Sequence, residues 1–359
     1  MSTINTRFIL VILGLIAAPG IGCRKHKDGG SPTAEKKAVV TTIAGDGTDA
    51  FADGPALSAK FHSPADVAVA ADGTLYVADY NGHRIRKIAG GQVSTLAGNG
   101  TFGIVNGDGG SAQFKNPYRV AIDPGGNVYM IDMVDPRVRK ITPGGYVTTY
   151  AGLEQAGFFD GGALAAQFQV NAEGLATDAQ GNVYLGDSFN NRIRKITTAG
   201  QVNTLAGNGT EGSNDGDGAT AQFRIPNGIA SDAQGNIYVA DGSNFCIRKI
   251  TSAGIVSRLA GSGTRGTVDG NATTAQFNLL DDIVADSQGN VYVTDDNCIR
   301  KITPQGVVST IAGGTTQGYV DGDGLTARFR AIGGMGIDAQ GNIYVADVNN
   351  NRIRKITFQ

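Results

Sequence analysis

The sequence predicts an all-β fold, a six-bladed β-propeller built from four-stranded antiparallel blades. Two internal repeats support this prediction. A Tyr-x-x-Asp motif recurs at intervals of 52 to 55 residues, with its tyrosines at Tyr76, Tyr129, Tyr184, Tyr238, Tyr292 and Tyr344. Six Ala-Gly pairs, ending at Gly45, Gly98, Gly152, Gly207, Gly261 and Gly313, are each followed 16 residues later by a phenylalanine, at Phe61, Phe114, Phe168, Phe223, Phe277 and Phe329. A unit of this size cannot bury both of its faces alone, so six copies predict a closed ring of blades.

The fourth unit shows the expected strands of one blade most clearly. Its first two strands, 228–232 and 237–240, flank the turn sequence Ala-Gln-Gly-Asn, which lets the chain reverse. Residues 247–251 alternate enough to form a half-buried third strand, and residues 255–260 form the fourth. Four antiparallel strands in about 54 residues make one blade.

The two ends of the repeat array predict how the ring closes. The array starts with a lone fourth strand at residues 39–44 and finishes after a third strand at residues 352–357. We therefore expect the N-terminal strand to complete the last blade, so that the propeller domain spans residues 38–359.

The repeat resembles a known family. The motif Asn-hydrophobic-Tyr-Val-Ala-Asp at residues 342–347, followed by Asn-Asn-Arg-Ile-Arg-Lys-Ile at residues 350–356, resembles the NHL repeat. The Asp-Gly pair that precedes Ala-x-Phe, as in Asp160-Gly161 with Phe168, is similar to the NHL arrays of bacterial surface and periplasmic proteins. This resemblance implies a six-bladed propeller and no single activity.

The N-terminal segment predicts export. Arg7 precedes an apolar stretch of eleven residues, 8–18, which is too short to cross a bilayer and is typical of a signal peptide covering residues 1–22. Small residues before Cys23 resemble a bacterial lipobox, although Gly20 replaces its usual leucine, so we expect lipidation of Cys23 and a flexible tether over residues 23–37. The expected product is exported, periplasmic or at the cell surface, monomeric, and attached to the membrane through this lipid alone.

The charge and the cysteines limit the possible partners and the possible disulfide bonds. The net charge is -2 and the basic residues are spread along the chain, which argues against nucleic-acid binding. Cys246 and Cys298 occupy the same column of successive repeats, where other repeats carry arginine. Equivalent points on neighbouring blades lie too far apart for a disulfide, so we expect two free thiols.

Charged residues found in every repeat are expected to serve the blade. The aspartates that end the second strands are predicted to cap turns or to pair with the arginine of the third strand. Those arginines, each followed by lysine, are expected on solvated strand faces. The Asp-Gly or Asn-Gly pairs of the long loops lack the spacing of an EF-hand calcium loop, so turn formation is favoured there.

One column of the aligned repeats, two positions wide and just before the first strand of each blade, carries different residues in different repeats. Its two positions are Ala65-Asp66, Tyr118-Arg119, Glu173-Gly174, Asn227-Gly228, Asp281-Asp282 and Gly333-Gly334. We expect these residues to ring one mouth of the central channel, beside the loops between second and third strands, which add the apolar groups Tyr80, Met133, Phe189 and Phe245 as exposed side chains. Asp66, Tyr118, Arg119, Glu173, Asn227, Asp281 and Asp282 are therefore the candidate ligand-binding residues.

The predicted function is binding of a protein, peptide or glycan at this face, without a cofactor. One alternative is a cation-dependent hydrolase or lyase, with Glu173, Asn227 and Asp281 as ligands of Ca²⁺ or Mg²⁺ and with Asp66 or Asp282 as base. This set is similar in kind to the cation site of six-bladed lactonases. Another alternative is a purely structural protein of the cell envelope. Of the three histidines, His26 lies in the predicted tether, so the sequence has too few for a zinc-His₃ centre or for a site built on an imidazole base.

Overall fold

The computed structural model describes residues 36–359. The predicted signal peptide, most of the predicted tether and the predicted lipidation site Cys23 lie outside the described residues. The described chain forms six antiparallel sheets of four or five strands. The predicted six-bladed propeller is therefore confirmed.

Each blade is a meander whose first strand lies nearest the channel. The first strands of blades 1 to 6 are Pro64–Val69, Pro117–Ile122, Gly174–Thr177, Pro226–Ser231, Leu280–Ala285 and Ile332–Ile337. The second strands are Leu75–Asp79, Val128–Asp132, Val183–Asp187, Ile237–Asp241, Val291–Asp295 and Ile343–Asp347. The third strands are Arg84–Ala89, Asp135–Ile141, Arg192–Ile196, Cys246–Ile250, Cys298–Ile302 and Arg352–Phe358.

The outer strands complete the sheets. The fourth strands are Gln92–Ala97, Val147–Ala151, Gln201–Ala206, Ile255–Ala260, Val308–Gly313 and, for blade 6, Ala38–Ala44. Four blades carry a two-residue fifth strand, in the order of blades 1, 3, 4 and 6: Gly54–Pro55, Gly161–Gly162, Gly216–Asp217 and Gly322–Asp323. Three loops between second and third strands contain one 3₁₀ turn each, at Ser188–Asn190, Gly242–Asn244 and Val348–Asn350.

The N-terminal strand closes the ring as predicted. Ala38–Ala44 pairs antiparallel with the third strand of blade 6, Arg352–Phe358, and also with Gly322–Asp323. At its start, Lys37 and Gln359 exchange two backbone hydrogen bonds of 2.8 and 3.0 Å. Hydrogen bonds therefore join the two ends of the described chain within one sheet.

The hydrophobic core lies between the blades. One buried cluster joins Val67 and Val77 of blade 1 to Tyr344, Ala346 and Ile353 of blade 6, and corresponding clusters join the other neighbouring blades. Each first strand contacts the first strands of both neighbouring blades, so the six run around the channel in chain order. Blade 2 consequently lies opposite blade 5.

The arginines of the third strands are buried, which contradicts the expectation of solvated strand faces. In blade 4, Arg248 is fully buried, and its guanidinium donates to Asp241 at 2.9 Å and to Asp215 of the long loop at 2.6 Å. The guanidinium carbon lies 5.1 Å from the ring centroid of Phe223. Asp241 and Phe223 belong to the two repeated motifs, and Asp215 lies in the long loop that precedes Phe223, so the constant loop length places an aspartate and an aromatic ring around one buried cation.

Five blades share this ion-pair arrangement, and the predicted pairing of the strand-ending aspartates is confirmed in them. The arginines paired with two aspartates are Arg86, Arg194, Arg248, Arg300 and Arg354. Each strand-ending aspartate of these blades also accepts a backbone N–H from the residue after the loop phenylalanine.

Blade 2 is the exception. Its Arg139 donates to Asn106 and Val105 and forms no ion pair with Asp132, one carboxylate oxygen of which has no partner among the described residues. Asp135 stands where blades 3, 4 and 6 have an asparagine that donates to the strand-ending aspartate. Burial first, and then the charge of Asp135, raise the pKa of Asp132 to about 7, against the opposing effect of Arg139.

The cysteine prediction is also confirmed. Cys246 and Cys298 are free and buried at the start of the third strands of blades 4 and 5. Burial raises the pKa of both thiols to about 12.

Candidate functional site

The variable column lies at one end of the channel, where the first strands begin and the second strands end. Pro226 pairs with Asp241 and Leu280 pairs with Asp295, so the loops between second and third strands surround the same end. The first strand is bulged at this level in every blade except blade 3. A bulge re-aims the side chains that it carries, which explains how these positions vary without disturbing the blades.

Glycines in this column allow the first strands to approach closely. A Cβ on Gly174 would lie 2.2 Å from the carbonyl oxygen of Asn227, and one on Gly228 would lie 2.6 Å from Cα of Asp282. Only glycine fits at such distances. Blades 3, 4 and 5 are therefore held together at the level of Glu173, Asn227 and Asp281.

An ion pair crosses the channel. The guanidinium of Arg119 on blade 2 donates from Nη2 to Oδ1 of Asp281 on the opposite blade 5, at 2.5 Å. The hydroxyl of Tyr118 donates to the same oxygen at 3.2 Å, and Nε of Arg119 donates to the carbonyl oxygen of Glu173 at 2.9 Å. Arg119 is 1% exposed, and its Nη1 has no partner among the described residues. This bridge links opposite walls of the ring and narrows the channel at its mouth.

Asp66 and Asp282 use their carboxylates to join neighbouring first strands. Oδ2 of Asp66 accepts the backbone N–H of Val120 on blade 2 at 2.8 Å, and Oδ2 of Asp282 accepts that of Met335 on blade 6 at 2.7 Å. Burial raises the pKa of both carboxyls, and in Asp66 the charge of Asp282 adds to it. Their observed contacts are structural links between blades.

Glu173 and Asn227 keep oxygen atoms without protein partners. No hydrogen bond to the carboxylate of Glu173 is present in the described part of the chain, and burial followed by the charge of Asp281 raises its pKa to about 7, with Arg119 opposing. The amide of Asn227 donates to the carbonyl oxygen of Leu280 at 2.8 Å, while its Oδ1 is buried without a partner. The carboxylate of Asp281 accepts through Oδ1 and is partly exposed to solvent.

The structure thus brings the predicted channel-mouth residues together, but it does not arrange them as a ready metal centre. Within residues 36–359, no group of three or more histidine, cysteine, aspartate or glutamate side chains is placed to hold a metal ion. Arg119 already occupies one oxygen of Asp281. The Ca²⁺ or Mg²⁺ site at Glu173, Asn227 and Asp281 stays a prediction.

Aromatic residues border the mouth. The rings of Tyr80 and Tyr118 meet edge to face with centroids 6.2 Å apart, and the guanidinium of Arg119 lies 4.4 Å from the ring centroid of Tyr118. Phe189 is 50% exposed. Tyr80, Met133 and Phe245 are half-buried, contrary to the expectation of exposed side chains.

Sequence reasoning missed a second feature of this face, the stacking of arginine on exposed aromatic rings in the long loops. The guanidinium carbons of Arg84, Arg192 and Arg352 lie 3.8 to 3.9 Å from the ring centroids of Phe51, Phe158 and Tyr319. The signal was present in the sequence. Where the arginine column carries Cys246 or Cys298, the aromatic column carries serine or threonine.

No helix within residues 36–359 is long and apolar enough to cross a membrane.

Comparison with known proteins agrees with this architecture. Three segments, residues 61–88, 223–250 and 329–356, match the NHL repeat. The chain is 29% identical over 285 residues to the chloroplastic protein SUPPRESSOR OF QUENCHING 1 of Arabidopsis thaliana, covering 72% of this chain and 26% of that protein. It is 27% identical over 381 residues to Teneurin-3 of Mus musculus, covering 89% of this chain and 13% of that protein. The chain therefore spans about a quarter or less of the length of these relatives.

Solved structures share the fold at low identity. A protein of unknown function from Bacteroides thetaiotaomicron superposes with a TM-score of 0.69 and 22% identity, and an auxiliary nutrient binding protein from the same organism with 0.67 and 20%. Each comparison covers 90% of this chain and 77% of the other. A gluconolactonase from Xanthomonas campestris superposes with a TM-score of 0.56 and 12% identity, over 94% of this chain and all of the other. Identities this low show the fold alone.

Proposed function

Because the chain carries NHL repeats folded into a six-bladed propeller, we propose that it is an exported binding module that holds a ligand or partner at the mouth of its channel. One observation carries the proposal. The column that lines the mouth varies from blade to blade, unlike the tyrosine, aspartate and phenylalanine columns of the repeat, and its oxygens on Glu173 and Asn227 lack protein partners. Unpartnered polar groups beside aromatic side chains, of which Phe189 is exposed, are typical of ligand sites.

Two further observations support this proposal. The N-terminal sequence has the pattern of an export signal followed by a cysteine suited to lipidation. One of the proteins that share the fold is described as an auxiliary nutrient binding protein.

Binding explains the mouth better than hydrolysis does. In the cation-dependent alternative, Asp66 or Asp282 would act as base, but backbone N–H groups of neighbouring blades bind both carboxylates. The proposed ligand Asp281 is already paired with Arg119. A purely structural protein of the cell envelope would have no use for the unpartnered oxygens.

Matched substitutions on blade 3 test the proposal. The chain from residue 24 onward would be screened on glycan and peptide arrays, and any partner would be titrated against Phe189→Ala and Glu173→Gln. The controls are Phe159→Ala and Glu154→Gln, which change exposed residues of the long loop. We expect at least a tenfold loss of affinity for the mouth variants and none for the controls, at unchanged melting temperature. Equal affinity for all four variants would refute a site at the mouth.

A further inference from the structure

The chemistry of the mouth indicates what kind of ligand it would hold, and the inference rests on the proposed function. Three oxygen-bearing side chains follow one another on blades 3, 4 and 5. The carboxylate of Glu173, Oδ1 of Asn227 and Oδ2 of Asp281 accept no hydrogen bond from any of residues 36–359. Of these acceptors, Oδ1 of Asn227 is buried and the two carboxylates are partly open to solvent, so together they suit a group that supplies several N–H or O–H bonds at once.

The charge of the mouth selects among such groups. The carboxylates of Glu173 and Asp281 face one guanidinium, that of Arg119, while Asp66 and Asp282 are held by backbone N–H groups. Carboxylates therefore outnumber the single guanidinium at the mouth, which favours a cationic ligand. An ammonium group has three N–H donors for three acceptors, whereas Ca²⁺ takes about six to eight oxygen ligands.

Aromatic rings at the mouth favour an organic cation. The ring of Tyr118 packs against the guanidinium of Arg119, its hydroxyl donates to Asp281, and the rings of Tyr80 and Tyr118 meet edge to face. The faces of such rings attract cations, and their apolar edges accept alkyl groups. An ammonium group on a carbon chain fits these walls.

A fourth unpartnered atom at the mouth is a hydrogen-bond donor rather than an acceptor. Arg119 is 1% exposed, and its Nη1 donates no hydrogen bond within the described chain, although Nη2 of the same guanidinium binds Asp281. The planar guanidinium places Nη1 beside that contact, so an acceptor is required close to the cation. A ligand that joins an ammonium group to a carbonyl or carboxylate oxygen across one carbon supplies both.

We infer that the mouth binds an α-ammonium group with its neighbouring carbonyl or carboxylate, as found in a free amino acid or at the N-terminus of a peptide. The ammonium donates to Glu173, Asn227 and Asp281. The oxygen beside it accepts from Nη1 of Arg119, and Tyr118 and Tyr80 line the approach.

Calorimetric titration of the chain from residue 24 onward with defined probes tests this inference. The probes are tetra-alanine, N-acetyl-tetra-alanine, alanine, ethylammonium chloride and calcium chloride. We expect tetra-alanine to bind and its acetylated form to bind at least tenfold more weakly, because acetylation removes the cation and two donors. Ethylammonium should bind more weakly than alanine, since it offers no acceptor to Arg119. Comparable affinity for alanine and tetra-alanine would identify free amino acids as sufficient, whereas tighter binding of tetra-alanine would identify a peptide terminus.

Variants locate the site. Glu173→Gln should weaken tetra-alanine binding at least tenfold, and Glu154→Gln should leave it unchanged. Acetylation acts on the probe, so that comparison stays valid even if a variant fails to fold.

Three results would overturn the inference: no binding of any amine, equal binding of both tetra-alanines, or binding of calcium that requires Glu173. A partner found on the arrays that depends on Phe189 and Glu173 but ignores N-acetylation would overturn this inference and leave the proposed function standing.

Discussion

Asp241 and Asp132 occupy equivalent positions in blades 4 and 2, and they should contribute differently to the free energy of unfolding. In blade 4, Asp241 accepts the backbone N–H of Arg224 at 2.8 Å, the amide of Asn244 at 2.8 Å and Arg248 at 2.9 Å. Asp241→Asn would place an amide against these two side-chain donors. Breaking a buried ion pair costs about 3–5 kcal/mol. We expect a loss near the lower end, about 3 kcal/mol, because Arg248 keeps Asp215.

Asp132→Asn is the matched substitution in blade 2. Its Oδ1 accepts the backbone N–H of Asn116 at 2.9 Å, which an amide oxygen can also do, and its other oxygen has no partner to lose. The pKa of Asp132 is about 7, so at pH 8 the wild type holds a buried charge that the variant lacks. We expect Asp132→Asn to leave the free energy of unfolding unchanged or to increase it at pH 8.

The assay is urea unfolding followed by far-ultraviolet circular dichroism at pH 8, for the wild type and both variants. The expected order of stability places Asp241→Asn lowest and Asp132→Asn at or above the wild type. Equal losses of unfolding free energy in the two variants would refute the argument. They would mean that these aspartates stabilise the fold only by accepting a backbone N–H and that the buried ion pair of Asp241 contributes nothing.

The remaining predictions concern pH, the channel and the closure. Because the pKa of Asp132 is raised, the native state binds more protons than the unfolded state between about pH 4 and 7, so this group lowers stability as pH rises through that window; urea titrations of Asp132→Asn should show a flatter profile there. Gly228→Ala should cost about 1–3 kcal/mol in thermal unfolding, since its Cβ would collide with Asp282; an unchanged melting temperature would contradict the close approach. Cys246 and Cys298 should resist thiol reagents until the protein unfolds, and rapid labelling of the native state would show that they are accessible. Deleting residues 24–44 should abolish cooperative thermal unfolding. A sharp unfolding transition at the original temperature would mean that blade 6 is stable without its fourth strand.

Strand order and closure were predictable from the sequence because spacing alone determines them. Six tyrosines and six phenylalanines at fixed offsets leave little freedom in a ring of equal blades. A strand at one end of the array and a vacancy at the other identify the strand that closes it. The turns were equally predictable, since Asp232 accepts hydrogen bonds from the side-chain amide of Asn236 and the hydroxyl of Tyr238 at the predicted reversal.

The environment of the repeated arginines was not predictable in the same way. Arg248 stands in an alternating strand beside Lys249, and the pattern does not reveal which of the two faces water. The structure buries Arg248 because Asp215 approaches from a loop 33 residues earlier in the chain. Such a contact depends on the path of the loop across the blade, and a period in the sequence contains no information about that path.

The channel mouth was predictable from the sequence only in part. The variable column could be found from the sequence, because constancy elsewhere makes variation visible. The pairing of Arg119 with Asp281 could not, since it joins residues 162 positions apart on opposite blades. That pairing depends on the radius of the ring, on the bulges that re-aim the side chains and on Tyr118, which donates to the same oxygen.

Because Lys37 and Gln359 are hydrogen-bonded to each other, the described chain could begin in any blade without changing the ring. Since these residues already touch, a short linker could join them, and the polypeptide could be opened instead at an exposed turn such as Ala89 to Gln92. The resulting circular permutant would start in another blade yet contain every contact of the original ring. If it folds, the propeller is a truly cyclic object, and libraries could present its mouth from whichever termini suit a display system.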